Sequence, residues 1–473
     1  FLILGFHFVE VLLLFPGTRE GLARAGLLDF ACLLQTSALQ AALLAQLLGG
    51  GFAIKARNVL ERADTGPRAA GKKVALLFVM IAGFGAMLRI VQSGVLLSPK
   101  PLTGAHYYSW FPENWVAGYS GREMLPPVLP ALGEYDSGNR AVFEQHVAWA
   151  KRAGVGFLVF DWWAQRTSID RRIRSNIEHL RPDSGMQFSL MYESLELKQS
   201  SKGASSAEPS NVVYLTRQRA WEMRRHWTYL ARTFMAHPSY LKFENRPVLF
   251  VYATRHLVGP VAEAVQEARQ HVKEKTGLDL YLVGDEVFFN VVSLDRTGKI
   301  VLLPELQPDW DRLNAFDALT AYNPYDSTRT QYAGQSGADI FLTDVENLYR
   351  RYRGICAAAG IRFFPGVLPG YNDRALRPKE DHYVVPRKIG PDRAQDFFAA
   401  SISRWAMTLL DQSLPVMLVT SWNEWNEGTQ IEPALKSPPT DRDRSESGTA
   451  VSQGEHHEGY GEYYLKMLRN PLN

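Results

Sequence analysis

Residues 104–473 predict an α/β chain closed into a (β/α)8 TIM barrel with enlarged loops at the C-terminal ends of its strands, preceded by a membrane-anchor region. Three observations carry this expectation. Eight short runs rich in Val, Phe, Tyr and Leu are near-continuously apolar, as parallel strands covered on both faces must be. Helical patterns fill most of the gaps between them. The first run leads into Tyr108-Ser109-Trp110-Phe111-Pro112-Glu113, not into the glycine-rich phosphate turn of a doubly wound open sheet, so no nucleotide cofactor is expected.

In chain order the strands are expected at Gly104–Phe111, Val155–Trp163, Gln187–Glu193, Pro247–Tyr252, Leu280–Phe288, Ala315–Tyr322, Phe363–Val367 and Pro415–Thr420. Apolar residues at helical spacing follow the early strands: Val142, Phe143, Val147 and Ala150 lead to the second, and Ile169, Ile173, Ile177 and Leu180 to the third. Trp227, Leu230, Ala231 and Phe234 precede the fourth, and Val261, Ala264, Val265 and Ala268 the fifth. Asp295-Arg296-Thr297-Gly298 interrupts the next gap, so only a short helix around Trp310–Leu313 fits there. Ile340–Ala359, Ala394–Leu410 and Tyr460–Leu468 supply the last three helices.

The chain has 473 residues, 46% of them hydrophobic and 12% aromatic, enough for a barrel-sized core and an appendage. A net charge of +3, with Lys and Arg spread along the chain, gives no basic field for nucleic acid. Cys32 and Cys356 build neither a disulfide framework nor a zinc cluster.

The first hundred residues differ in kind. Residues 74–97 are largely apolar with one charge, Arg89, and are long enough to cross a hydrocarbon core of about 30 Å as an uncleaved signal anchor. Arg57, Arg62, Arg68, Lys72 and Lys73 precede this span, so the positive-inside rule places residues 1–73 on the cytoplasmic side and the domain 104–473 on the other. Residues 1–73, apolar and basic, receive no role.

A barrel gathers its active site at the C-terminal strand ends. Those ends carry Tyr107, Tyr108 and Trp110; Asp161, Trp162 and Trp163; Tyr192 and Glu193; Tyr252; Asp285 and Glu286; Tyr322 and Asn323; Pro369, Gly370 and Tyr371; then Asn423, Glu424 and Glu427. Aromatic platforms beside carboxylates and amides suit sugar rings, which offer apolar faces and directional hydroxyls. The densest stretch is Thr420-Ser421-Trp422-Asn423-Glu424-Trp425-Asn426-Glu427-Gly428-Thr429-Gln430-Ile431-Glu432-Pro433. If the chain turns helically after the strand, Glu424 and Glu427 share a face with Cβ atoms roughly 5–6 Å apart. Retaining glycosidases hold their two carboxyls about 5–5.5 Å apart. Elsewhere a Glu-x-x-Glu pair is usually a solvated helix face; here it follows a buried strand and sits among Trp and Asn. No metal is expected, because His106 stands alone on the early strands and His456-His457 lies in a polar loop.

Tyr107-Tyr108 with Trp110, Val159-Phe160-Asp161-Trp162-Trp163, Pro369-Gly370-Tyr371-Asn372-Asp373 and the motif from Ser421 to Pro433 together resemble the family-99 glycoside hydrolases, the endo-α-1,2-mannosidases, over roughly residues 104–433. The resemblance implies a metal- and cofactor-free barrel that acts inside an α-mannoside chain with retention. It implies Glu424 as base on the neighbouring 2-hydroxyl and Glu427 as general acid/base. Asn423 would contact substrate, Tyr252 and Tyr371 would line the cleft, and Tyr107, Trp162, Glu193 and Asn323 are expected to join them. An oligosaccharide or glycoprotein N-glycan would be the partner. Combined with the expected anchor, this implies a Golgi type II protein with a lumenal domain, or a cell-envelope location in a bacterium. Asn426 stands where endomannosidases usually carry His, an exchange expected to alter substrate contact or to tune Glu427. The competing reading is a glycan-binding or polysaccharide-biosynthesis barrel that does not hydrolyse. Lys198–Ser210, Asn372–Asp392 and Leu435–Glu458 read as rim inserts, the last as a disordered, solvated loop.

Overall fold

The computed structural model describes residues 100–469, except 165, 199–211, 288–289, 305–306, 326–331, 333, 379–381 and 388–395. The expected anchor at 74–97, the region 1–73 and most of the insert 198–210 lie outside the described residues. Among those described, no helix is long and apolar enough to cross a membrane.

The eight strands are β1 (Leu102–Tyr107), β2 (Val155–Trp162), β3 (Gln187–Tyr192), β4 (Arg246–Val251), β5 (Tyr281–Asp285), β6 (Ala318–Thr320), β7 in two pieces (Arg362–Phe364 and Gly366–Val367), and β8 (Val416–Val419). Neighbours pair in parallel from β1 to β6, and β1 also pairs with β8. The ring closes through β7. Its first piece pairs with β6 and its second with β8. Pro365 between the pieces has no N–H to give, but its carbonyl accepts the amide of Leu418 at 3.1 Å. Gly366 is required here, because a Cβ would sit 2.3 Å from the carbonyl oxygen of Ala321.

Helices cover the outside: α1 (Arg140–Ala153), α2 (Thr167–Glu178), α3 (Arg217–Thr233), α4 (Val261–Thr276), α5 (Trp310–Leu313), α6 (Gly334–Ala359), α7 (Phe397–Ser401, continuing as a π-helical turn Ile402–Met407) and α8 (Tyr463–Arg469). Asn139 and Thr216 cap α1 and α3 through their side chains. The fifth helix is as short as the sequence predicts, and the gap before it holds an antiparallel pair, Val292–Leu294 with Ile300–Leu302. From α5, Arg312 reaches inward to Glu286 at 2.7 Å and to the carbonyls of Leu257 and Val292. Glu286 therefore belongs to this buried ion pair.

Alternation along the strands sorts side chains into two layers. Phe157, Val159, Met191, Val248, Phe250, Tyr281, Val283, Ala318, Phe364, Val416 and Leu418 fill the lumen. Tyr107, Phe160, Trp162, Tyr192, Leu249, Leu282, Leu319 and Met417 pack against the helices. Between β1 and α1, the His146 ring joins the Tyr107 hydroxyl at 2.9 Å to Glu432 at 3.0 Å. Glu432 also accepts from the Tyr135 hydroxyl and the Trp425 indole, both at 2.8 Å. Every polar group in this network is paired, as its burial demands.

The insert 435–458 corrects an expectation. It is ordered, with a short antiparallel pair, Ser437–Thr440 and His457–Gly459. Low apolar content predicted disorder, but Asp443 organises the loop by accepting the amides of Ser445, Val451 and Ser452 and the Ser445 hydroxyl. Partial burial opposes ionisation of Asp443, yet these bonds hold its pKa down to about 2. His456 is exposed as expected. His457 is half-buried, with Nδ1 on the Glu455 carbonyl at 2.9 Å and Nε2 facing the Asn372 amide at 3.3 Å.

Two outcomes follow from this packing. Glu432→Ala strands the Tyr135, Trp425 and His146 groups, and denaturant titration should show a loss of about 3–5 kcal/mol; a loss below 1 kcal/mol would show that the network is dispensable. Asp443→Ala should make residues 441–453 a site of limited proteolysis while the barrel resists. Because the folded pKa of Asp443 is depressed, its contribution is present above the ordinary aspartate pKa and lost as the pH falls through about 2. The wild-type loop should therefore resist an acid protease at pH 4.

Candidate active site

After β8 the chain does not turn into a helix. It folds into a tight loop, stapled where the Ser421 amide donates to the Thr429 carbonyl (2.8 Å), the Ser421 and Thr429 hydroxyls meet (3.0 Å), and the Glu432 amide donates to the Trp422 carbonyl (2.8 Å). Gly428, at φ 65°, lets this loop pass against the backbone of Asn372. The loop, not a helical face, brings Glu424 and Glu427 into electrostatic contact with each other. Trp422 and Trp425 are fully buried behind it and do not face the cleft.

Glu424 is 2% exposed, its backbone N–H bonded to the Ser421 hydroxyl and its carboxyl to the amide of Asn426 at 2.9 Å. Both glutamates act on Tyr322, whose hydroxyl accepts from Tyr108 at 2.5 Å. Around this pair the inward residues of successive strands complete the mouth: Tyr108 and, one layer down, His106 from β1; Asp161; Glu193; Tyr252, its ring 5.8 Å from that of Tyr322; and Asp285. Asp285 accepts the amides of Ala253 (3.0 Å) and Tyr322 (2.7 Å), locking the ends of β4 and β6. Burial raises the carboxyl of Asp161 to about 7, against the Trp163 indole N–H and Arg166, and burial plus the Asp161 charge drive Glu193 well upward.

Opposite Glu427 stands a loop after β7. Tyr371 stacks on Tyr325 with ring centres 4.2 Å apart and gives its hydroxyl to Asp373 at 3.0 Å. Nη1 of Arg377 bridges Asp373 (2.8 Å) and Glu427 (3.1 Å), and His382 lies 2.9 Å from Asp373. Burial and the charge of Glu427 push Glu424 well up; burial also raises Glu427, but the Arg377 guanidinium pulls it back. The Arg377 guanidinium thus favours the charge on Glu427 over that on Glu424, the reverse of the distribution the expected acid and base roles require.

Of the predicted contacts, the structure brings Glu424, Glu427, Glu193, Tyr252 and Tyr371 to the mouth. It does not bring Tyr107 or Trp162, which strand alternation turns outward. Tyr107 joins the His146 network, and the Trp162 indole bonds Asp170 at 2.9 Å. Their neighbours Tyr108 and Asp161 take the inward positions. Asn423 is fully buried and its amide is spent clamping the Tyr108 backbone, at 2.8 Å from the N–H and 2.9 Å from the carbonyl. Asn323 caps its own turn by accepting the Tyr325 amide at 3.0 Å. The Asn426 side chain anchors the loop before α1 through the carbonyls of Asn114 and Gly118, so it touches the pair only through its backbone N–H on Glu424. Asp373 was visible within a motif, whereas Arg377 and His382 carried no signal beyond lying in a charged insert. Among the described residues no group of acids, histidines or cysteines is placed to hold a metal.

Human glycoprotein endo-alpha-1,2-mannosidase-like protein is 25% identical over 345 residues, 70% of this chain and 64% of that protein. Mouse glycoprotein endo-alpha-1,2-mannosidase is 23% identical over 370 residues, 70% of this chain and 67% of that protein. The chain thus spans just under two thirds of the human relative. A solved structure described as a glycoside hydrolase-like protein superposes with a TM-score of 0.55 at 20% identity, covering 81% of this chain and 99% of the other, which confirms the barrel fold. Residues 117–438, more than half of the chain, match the family described as Glycosyltransferase WbsX; the chain is a member of that family, built on a (β/α)8 barrel.

Proposed function

We propose that this protein is a retaining glycoside hydrolase of α-mannoside-containing glycans. The observation that carries the reading is the pair of the buried Glu424 and the partly buried Glu427 beside the Tyr108–Tyr322 hydroxyls at the open end of the barrel. Two nearby carboxyls disfavour each other's charge, which favours a single proton between them, the condition for an acid and a base on one bond. In the first step Glu424 takes the proton of the sugar 2-hydroxyl while O2 attacks C1. The bond to the leaving oxygen breaks, and that oxygen receives the proton of Glu427. In the second step Glu427 deprotonates a water that attacks C1, and O2 leaves C1 and recovers its proton from Glu424. Two inversions give retention. The relatives named as endo-alpha-mannosidases support the substrate class.

One observation favours a second reading. Arg377 bonds Glu427 and favours its carboxylate form, the form that would deprotonate an incoming sugar hydroxyl, and the family is described as a glycosyltransferase. The same intermediate, opened by a hydroxyl in place of water, gives transfer.

Incubation with O-linked α-mannosides, with and without a second sugar as acceptor, should release a product of unchanged anomeric configuration; an elongated product would select transfer. Glu424→Gln should slow all substrates by about 100-fold or more. Glu427→Gln should do so for sugar leaving groups and spare aryl ones. Unchanged rates in either variant would remove that residue from the chemistry.

A further inference from the structure

The Arg377 guanidinium is used along only one side. Nη1 makes all of its protein contacts, to Asp373 at 2.8 Å, Glu427 at 3.1 Å and the Tyr371 hydroxyl at 3.5 Å. Nε and Nη2 bond to none of the described residues, and the side chain is 42% exposed against 19% for Glu427. The Nε–Nη2 edge of a guanidinium is a planar two-donor fork that matches a carboxylate or phosphate, which a lysine at the same place would not do. This free fork lies one hydrogen bond from the carboxyl assigned to the leaving oxygen, so it faces the part of the substrate that departs. Resting on the hydrolase reading above, we infer that Arg377 recognises an oxyanion carried by the leaving-group sugar, a uronate carboxylate or a phosphate.

The charges around Glu427 support a site for an anion at Arg377. Glu427 is faced by Glu424, Arg377, Asp373, His382, Tyr252, Tyr322 and Tyr371. Arg377 is the arginine bonded to Glu427, and it is shared with Asp373. An oxyanion on the open fork competes with Glu427 for the same positive charge. A weaker hold on Glu427 favours its acid form, the form that the first chemical step needs. A neutral leaving sugar offers Arg377 no second oxyanion.

The test measures binding apart from turnover. Hydrolysis-resistant, sulfur-linked α-mannosyl disaccharides whose leaving unit is glucose, glucuronate or glucose 6-phosphate are titrated calorimetrically into the full 473-residue chain. Either charged compound, or both, should bind about tenfold more tightly than the neutral one, and which of them does so identifies the oxyanion. The preference should vanish in Arg377→Gln and shrink in Arg377→Lys, which keeps charge but loses the fork. Circular dichroism of both variants checks that the half-exposed loop position leaves the fold intact. Equal binding of all three compounds, binding of none, or a preference that survives Arg377→Gln overturns the inference. Turnover of the oxygen-linked counterparts is read separately: no cleavage with a clear binding preference would defeat the hydrolase reading and leave the oxyanion site standing.

Discussion

Eight parallel strands closed into a ring leave each residue two destinations, the lumen or the helix layer, and a displacement of one position exchanges them. The site depends on this parity. It sends Tyr108, Asp161, Glu193, Tyr252, Asp285 and Tyr322 to one mouth and their neighbours Tyr107, Trp162 and Tyr192 to the helices. The closure at Pro365 matters for the same reason. A β7 that paired with β6 alone would leave β8 with a free edge, and the loop carrying both glutamates would lose its fixed relation to β7, where the Thr420 amide bonds the Val367 carbonyl at 2.8 Å.

Burial then sets the electrostatics. Asp161, Glu193, Asp285, Glu424 and Glu427 are all raised by being taken out of water, and several raise one another. A carboxyl shifted toward its acid form donates as well as accepts, which widens the hydrogen bonding open to this mouth. Glu432, by contrast, is buried with every bond satisfied. It belongs to the scaffold although it stands in the same motif, eight residues beyond Glu424.

The barrel was legible because parallel strands buried on both faces must be continuously apolar, and that pattern marks each strand whatever its neighbours do. The same continuity hid the parity. In a run such as Val159-Phe160-Asp161-Trp162 every residue is suited to burial, so nothing in the letters says which of Asp161 and Trp162 looks inward. The glutamate pair was legible through its motif, but the loop that shapes it was read as a helical turn, since the staples from Ser421 to Thr429 and from Trp422 to Glu432 depend on backbone path. Arg377 and His382 reach the site from an insert whose course no local pattern records. The insert 435–458 was legible as a rim insert but not as an ordered one, because polar hydrogen bonds centred on Asp443, not apolar burial, hold it together.

That insert touches two other parts of the rim. Its arm from Arg442 to Arg444 bonds the backbone of Glu123 and Leu125, and its far side meets Asn372, Arg374 and Val384 through Val451, Ala450 and Gln453. Three segments distant in the chain are thereby laced into a single collar around the opening. Grafting one of them from a relative would break bonds to the remaining two, so remodelling the opening of this protein calls for exchanging the collar as a set.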